Sequence, residues 1–155
     1  MSYRVRGLDP AQFCHLYGLS ADILAAQGAE RMTVDAHPGY PDRVELRDLE
    51  PGETVLLLNY VHQPAHTPYR ASHAIFVREG AARAFDKIGE IPAPLRMRPI
   101  SLRAFDAAHR MVDADLAQGS DLEPLIRRFL ADSKVDYLHA HYAERGCYAA
   151  RVERA

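Results

Sequence analysis

Two runs, Thr54–Val61 and Ser72–Val77, are the most apolar and β-branched stretches of the chain, the composition of strands buried on one or both faces. The ten-residue link between them carries His62, Gln63, His66, Tyr69 and Arg70 and is stiffened by Pro64 and Pro68. Polar side chains held between two core strands are what a site needs, since loops on a rigid sheet are where binding groups concentrate.

The same reading orders the rest of the chain. Tyr3–Leu8 alternates as a short opening strand, and Asp9 before Pro10 starts a helical turn with Phe13, Leu16 and Tyr17 on one face. Ser20 caps a second short helix that Gly28 stops. Arg31–Asp35 is a strand with Met32 and Val34 inward, and the prolines and glycine of 36–43 break it. Val44 and Leu46 begin another strand, which the turn Glu50-Pro51-Gly52-Glu53 joins as a hairpin, Arg43–Arg47 against Thr54–Tyr60. After the connecting segment 81–95, Ile100–Ala104 and Val112–Leu116 alternate as two strands with one wet face each. Ser120 and Glu123 have capping-box spacing ahead of a stripe of Leu122, Leu125, Ile126, Phe129 and Leu130, the strongest helix in the chain. Val135–Ala143 and Cys147–Arg154 close the chain as a hairpin. The pattern predicts a single domain over residues 1–155, of the α+β class, with a mostly antiparallel sheet of about six to eight strands and helices packed on one face.

Charge changes this picture by exclusion. A formal net charge of −2 leaves no basic footprint for nucleic acid or for an anionic membrane surface. No apolar run approaches the roughly 20 residues of a membrane-spanning helix, and the first residues lack the apolar stretch of a signal peptide. A cytoplasmic protein is expected. Cys14 and Cys147 have neither metal-finger nor redox spacing, so no disulfide is implied.

Histidine carries the candidate chemistry. His139 and His141 lie two residues apart on a strand and so share a face, with Tyr137 beside them. Imidazoles roughly 7 Å apart can share a metal if neighbouring strands supply further ligands, and His62, His66, His73, Asp113 and Asp115 are all candidates for that role. Cys147 follows the turn beside this strand, where a thiolate activated by His139 or His141 is chemically feasible if the hairpin register turns it that way. The second constellation is His62, Tyr69, Arg70 and His73, in which Arg70 would anchor a carboxylate or phosphate while a histidine exchanges protons. Asp113 and Asp115 read as a solvated strand face.

Four blocks, AHPGYP at Ala36–Pro41, RDLEPGETVLLLNYVHQP at Arg47–Pro64, TPYRASHAIFVRE at Thr67–Glu79 and YLHAHYAERGCYAARVERA at Tyr137–Ala155, resemble a bacterial family of uncharacterised single-domain proteins. The resemblance spans nearly the whole chain and implies no activity. The family pattern usually places Cys where this chain has Asp42 and Asn where it has Tyr142, so neither a thiol at 42 nor an amide at 142 serves a site here.

The expected function is therefore binding of a small anionic molecule at a polar pocket formed by His62, Tyr69, Arg70, His73, His139 and His141. No catalytic residue, resident metal or cofactor is assigned. The alternatives are a hydrolase or transferase that uses His139 and His141 with a metal or with Cys147, and a non-catalytic homodimeric module.

Overall fold

The computed structural model describes residues 1–155. In chain order the elements are β1 (Tyr3–Arg6), α1 (Ala21–Ala26), β2 (Ala29–Thr33), β3 (Thr54–Gln63), β4 (Ala71–Arg78), β5 (Asp86–Ile88), α2 (Ala93–Arg96), β6 (Pro99–Phe105), β7 (Met111–Gln118), α3 (Leu122–Ala131), β8 (Tyr137–Tyr142) and β9 (Tyr148–Arg154). Two sheets result, one of six strands in the order β5-β1-β9-β8-β6-β7 and one of three in the order β2-β3-β4. Every pairing between these strands is antiparallel, giving a mostly antiparallel α+β architecture. No helix is long and apolar enough to cross a membrane.

The division into two sheets departs from the single sheet expected, and the course of segment 41–53 departs from the hairpin expected. The turn forms, with Gly52 at φ 95° and Glu53 N–H donating to Glu50 C=O at 3.1 Å, but it delivers β3 to β2 instead of to 43–47. Residues 41–48 make only two isolated bridges, Pro41 to Asp48 and Asp42 to Phe76. Leu46 adopts φ 51°, a left-handed conformation that ends any ladder there. Val44 and Leu46 are nevertheless buried, so their alternation reports burial on an irregular path. Asp42 supports that path: its carboxylate accepts from the backbone N–H of Glu45 at 2.5 Å and of Arg78 at 2.7 Å.

The stripe of α3 is buried as expected and joins the largest core cluster with residues of β1, β6, β8 and β9. At about 1.5–3 kcal/mol per buried side chain, this face supplies much of what holds the helix to the sheet. The capping box does not form. Asp121 is the N-cap residue and makes no side-chain cap, because the chain enters α3 through a 3-10 turn at Gly119–Asp121. Gly119 lies against α2 so closely that a Cβ would overlap Leu95 O and Arg96.

Two bulges shape the region between the sheets. One, between Val61 and Gln63, shifts the register of β3 on β4; Val61 is exposed while His62 and Gln63 are both buried. His62 and Gln63 thus end a strand and do not belong to the loop where the sequence places them. The other bulge is on β9, where Ala149 is the extra residue facing the Ala140–His141 step of β8, a strand whose six residues are all buried.

Candidate functional site

Strand β8 runs between β6 and β9, and its register sets the neighbourhood of His139. Arg103 of β6 and Arg151 of β9 are both its direct cross-strand partners. Directly opposed residues share a face, so one imidazole is flanked by two guanidinium side chains. His141 lies two residues on, opposite Ser101 and Tyr148.

His62 reaches this face from the end of β3. Its ring centroid is 4.9 Å from that of His141 and 6.1 Å from that of His139, near edge-on to both. It lies parallel to Tyr148 at 5.4 Å and to His73 of β4 at 5.8 Å. His62, His139 and His141 are 8%, 4% and 0% exposed. One ring nitrogen from each can be chosen such that all lie within 4.8 Å of one another.

The hydrogen-bond inventory of these rings is unusually incomplete. Both nitrogens of His62, Nδ1 of His139 and Nε2 of His141 are buried without a partner. His141 Nδ1 is 2.9 Å from Gly146 O, and since a carbonyl only accepts, Nδ1 carries the proton and Nε2 presents its lone pair. A backbone carbonyl that fixes the tautomer in this way is how metal-ligating histidines are commonly oriented.

Burial also settles the charge. Desolvation is the main cause that lowers His62 to about 4, with His73 and Arg103 adding to it. His139 falls to about 2 through desolvation and then the fields of His141, His62, Arg151 and Arg103. His141 falls to about 3 by desolvation, against the Gly146 hydrogen bond that raises it. At neutral pH all three are uncharged and free to donate lone pairs. Arg103 is itself held below its usual value by burial and hydrogen-bonds Ser101 Oγ at 3.3 Å.

A cavity of about 400 Å³ opens onto the cluster, with His62, His139, Arg151, Gln63, Tyr137 and His109 among its walls. Gln63 Nε2 donates to Tyr137 Oη at 2.8 Å, and Tyr137 Oη lies 2.8 Å from His109 Nδ1. His109 sits at φ 63°, a left-handed position for a bulky residue that its turn holds through His109 N–H to Asp106 C=O at 3.0 Å.

The structure therefore brings His62, His73, His139 and His141 together and leaves two of the expected site residues apart from them. Arg70 is exposed, donates to Pro64 O and lines a separate shallow cleft with Val61, Ala71 and Ser72. Tyr69 packs under the Arg110 guanidinium at 5.9 Å. Cys147 does not pair with a histidine: its sulfur is 3.2 Å from Arg43 Nη2, and it lines a different cavity. Asp115 pairs with Arg128 at 2.6 Å on an exposed surface. Sequence reasoning missed Arg103, Arg151, Tyr148 and His109. Arg103 and Arg151 have no local signal because only strand pairing places them, whereas the alternation of Tyr137, His139 and His141 marked the right face.

Fold and site together describe a mostly antiparallel α+β protein with a buried cluster of neutral histidines between its sheets. Residues 39–154 match the family described as protein of unknown function (DUF1203), and the chain belongs to it. No curated protein and no solved structure matches the chain.

Proposed function

We propose that the chain binds one divalent transition metal through His62, His139 and His141 and uses it on a small anionic substrate. The observation that carries this reading is the set of unpartnered ring nitrogens converging from two sheets. Burying a polar nitrogen without a partner is costly, and here each of the three rings has one and also offers a nitrogen within 4.8 Å of the other two. Imidazoles on one tetrahedral zinc, at about 2.0–2.1 Å each, have nitrogens about 3.4 Å apart. Small ring rotations bring nitrogens within 4.8 Å of one another to that spacing.

Three neutral ligands leave the ion with its full charge and a coordination position for water or substrate, the arrangement of catalytic zinc sites. A metal lowers the pKa of bound water and polarises a carbonyl or phosphoryl oxygen. Arg103, which pairs with no carboxylate, and Arg151, which shares Glu153 with Arg6, add positive charge around the site, which favours an anion as the remaining ligand. Tyr137, hydrogen-bonded to Gln63 and to His109, stands at the cavity wall where a proton can be passed. Hydrolysis or group transfer on a carboxylate or phosphate ester fits these groups. The contributions of both sheets support one domain over residues 1–155, and two free cysteines accord with a reducing, cytoplasmic setting.

The test is metal binding by the full chain, expressed without a histidine tag, stripped with EDTA and titrated with zinc and with cobalt. One equivalent should bind, and the cobalt form should show the visible absorption of a low-coordinate nitrogen site. His139→Ala and His141→Ala, checked for folding by circular dichroism, should each lose most of the affinity. Binding far below one equivalent for both metals, or full affinity in both variants, would refute the centre.

A further inference from the structure

Arg43 is the largest of the fully buried side chains, 2% exposed, and none of the chain's ion pairs includes it. Its Nε donates to Tyr148 O at 2.7 Å, its Nη1 to Pro41 O and its Nη2 to Cys147 Sγ at 3.2 Å. A guanidinium has five N–H groups, so one on each terminal nitrogen is left over. Neighbouring Asp42 does not neutralise it, because that carboxylate is turned to the backbone N–H groups of Glu45 and Arg78. A buried cation without a counter-ion is expensive to keep.

This cation lines a cavity of about 410 Å³ whose walls include Cys147 and none of the clustered histidines. The walls are apolar and aromatic: Met32, Tyr40, Phe76 and Tyr142, with the Tyr40 and Phe76 rings 5.1 Å apart. The Arg43 guanidinium carbon lies 4.9 Å from the centre of the Tyr142 ring. Arg98, the other inward cation, is already neutralised by Asp48 through two bonds of 2.9 and 2.6 Å. Glu144 and Arg145, both exposed, stand at the rim with opposite charges. One positive charge is left uncompensated among aromatic walls.

We propose that this cavity is a second binding site, independent of the metal centre, that takes a small monocarboxylate with an aromatic body. The carboxylate accepts from the spare N–H groups of Arg43 and supplies the missing counter-charge, while the ring lies among Tyr40, Phe76 and Tyr142. A planar monoanion matches a single fork; a phosphate dianion would need a second free cation, and Arg98 is taken.

Benzoate is the probe and benzyl alcohol its neutral counterpart, both titrated calorimetrically into the EDTA-treated full chain so that metal plays no part. Benzoate should bind with a stoichiometry of one, and benzyl alcohol about tenfold or more weakly, the loss expected for a charge-assisted bond. Arg43→Met should reduce benzoate affinity by a similar factor; if that variant does not fold, Arg43→Lys, which keeps charge without the fork, should still weaken it measurably. Iodoacetamide locates the ligand: saturating benzoate should slow alkylation of Cys147 and leave the exposed Cys14 unchanged, read by peptide mass spectrometry. The site is overturned by no benzoate binding at about 10 mM, a concentration that would reveal even a millimolar dissociation constant. Equal affinity for benzyl alcohol, unchanged affinity in a folded Arg43 variant, a Cys147 that is inert without ligand, or one that benzoate does not protect overturns it equally.

Discussion

A neutral histidine in the folded chain makes its presence felt when acid is added. His62, His139 and His141 have native values of about 4, 2 and 3, against about 6.5 for an unfolded chain. Below pH 6.5 the unfolded state takes up protons that the native state refuses, so stability falls with pH. The loss from His62 levels off once pH passes below about 4, and that from the other two continues lower. Glu53 works in a separate window: the hydrogen bond from Arg47 is the main cause that lowers it to about 2, so its stabilisation is lost only as pH drops from the ordinary carboxylate range toward that value. Between pH 7 and 5 the histidines dominate, and EDTA-treated protein should lose up to about 2 kcal/mol for each of them. Urea melts at the two pH values measure this, and a flat profile would contradict the burial of the rings. His139→Gln should remove a share of the loss. At this scale the period of two along β8 made the shared face of His139 and His141 legible. The arrival of His62 was not, because a bulge turns it inward and no local pattern announces a bulge.

Elements were legible where their signals are local. The stripe of α3, the closing hairpin of β8 and β9 and the turn before β3 all follow from spacing and turn residues that act within a few positions. The partner of β3 was not legible: a turn sets where a strand begins and leaves open which neighbour it joins. Some element ends are also set from afar. Carbonyls in the last turn of α3 and just beyond it are held by Arg154, whose guanidinium donates to Leu130 O at 3.1 and 2.7 Å, to Asp132 O at 2.8 Å and to Val135 O at 2.6 Å. Cations favour the C-terminal end of a helix, and this one also ties the helix to the last strand of the sheet. Arg154→Ala should cost about 1–3 kcal/mol, by loss of charged hydrogen bonds to partly buried carbonyls. Denaturant melts would show it as a lower midpoint with an unchanged slope. Glu123→Ala serves as the comparison, because what it removes is an exposed i,i+4 pair with Arg127, and it should cost no more than about 0.5 kcal/mol.

For the whole molecule, the proposed metal centre would make stability depend on an ion in solution. Two sheets contribute ligands, so an ion bound to all three histidines stabilises only the folded arrangement. Zinc at a hundred times its dissociation constant should add about 2.7 kcal/mol. In a chain of 155 residues that is a rise of roughly 5–10 °C in Tm. A zinc-independent Tm in the wild type would count against the centre, and His141→Ala should lose the response. The mostly antiparallel α+β class was readable from alternation along the chain, whereas the division into sheets of six and three strands was not. That division depends on pairing between strands far apart in sequence, such as β1 with β9.

Strand β8 is buried along its whole length and bonded on both sides. In hydrogen–deuterium exchange, amides of such a strand open only with the fold as a whole. Residues 137–142 should therefore be among the last to take up deuterium, well after the loop at 64–70. Two of the proposed ligands then stand on a support whose lifetime is that of the native state, while the third arrives on a strand that ends in a loop. Motion that admits or releases an ion would accordingly show first on the His62 side, as faster exchange at the end of β3 than anywhere on β8.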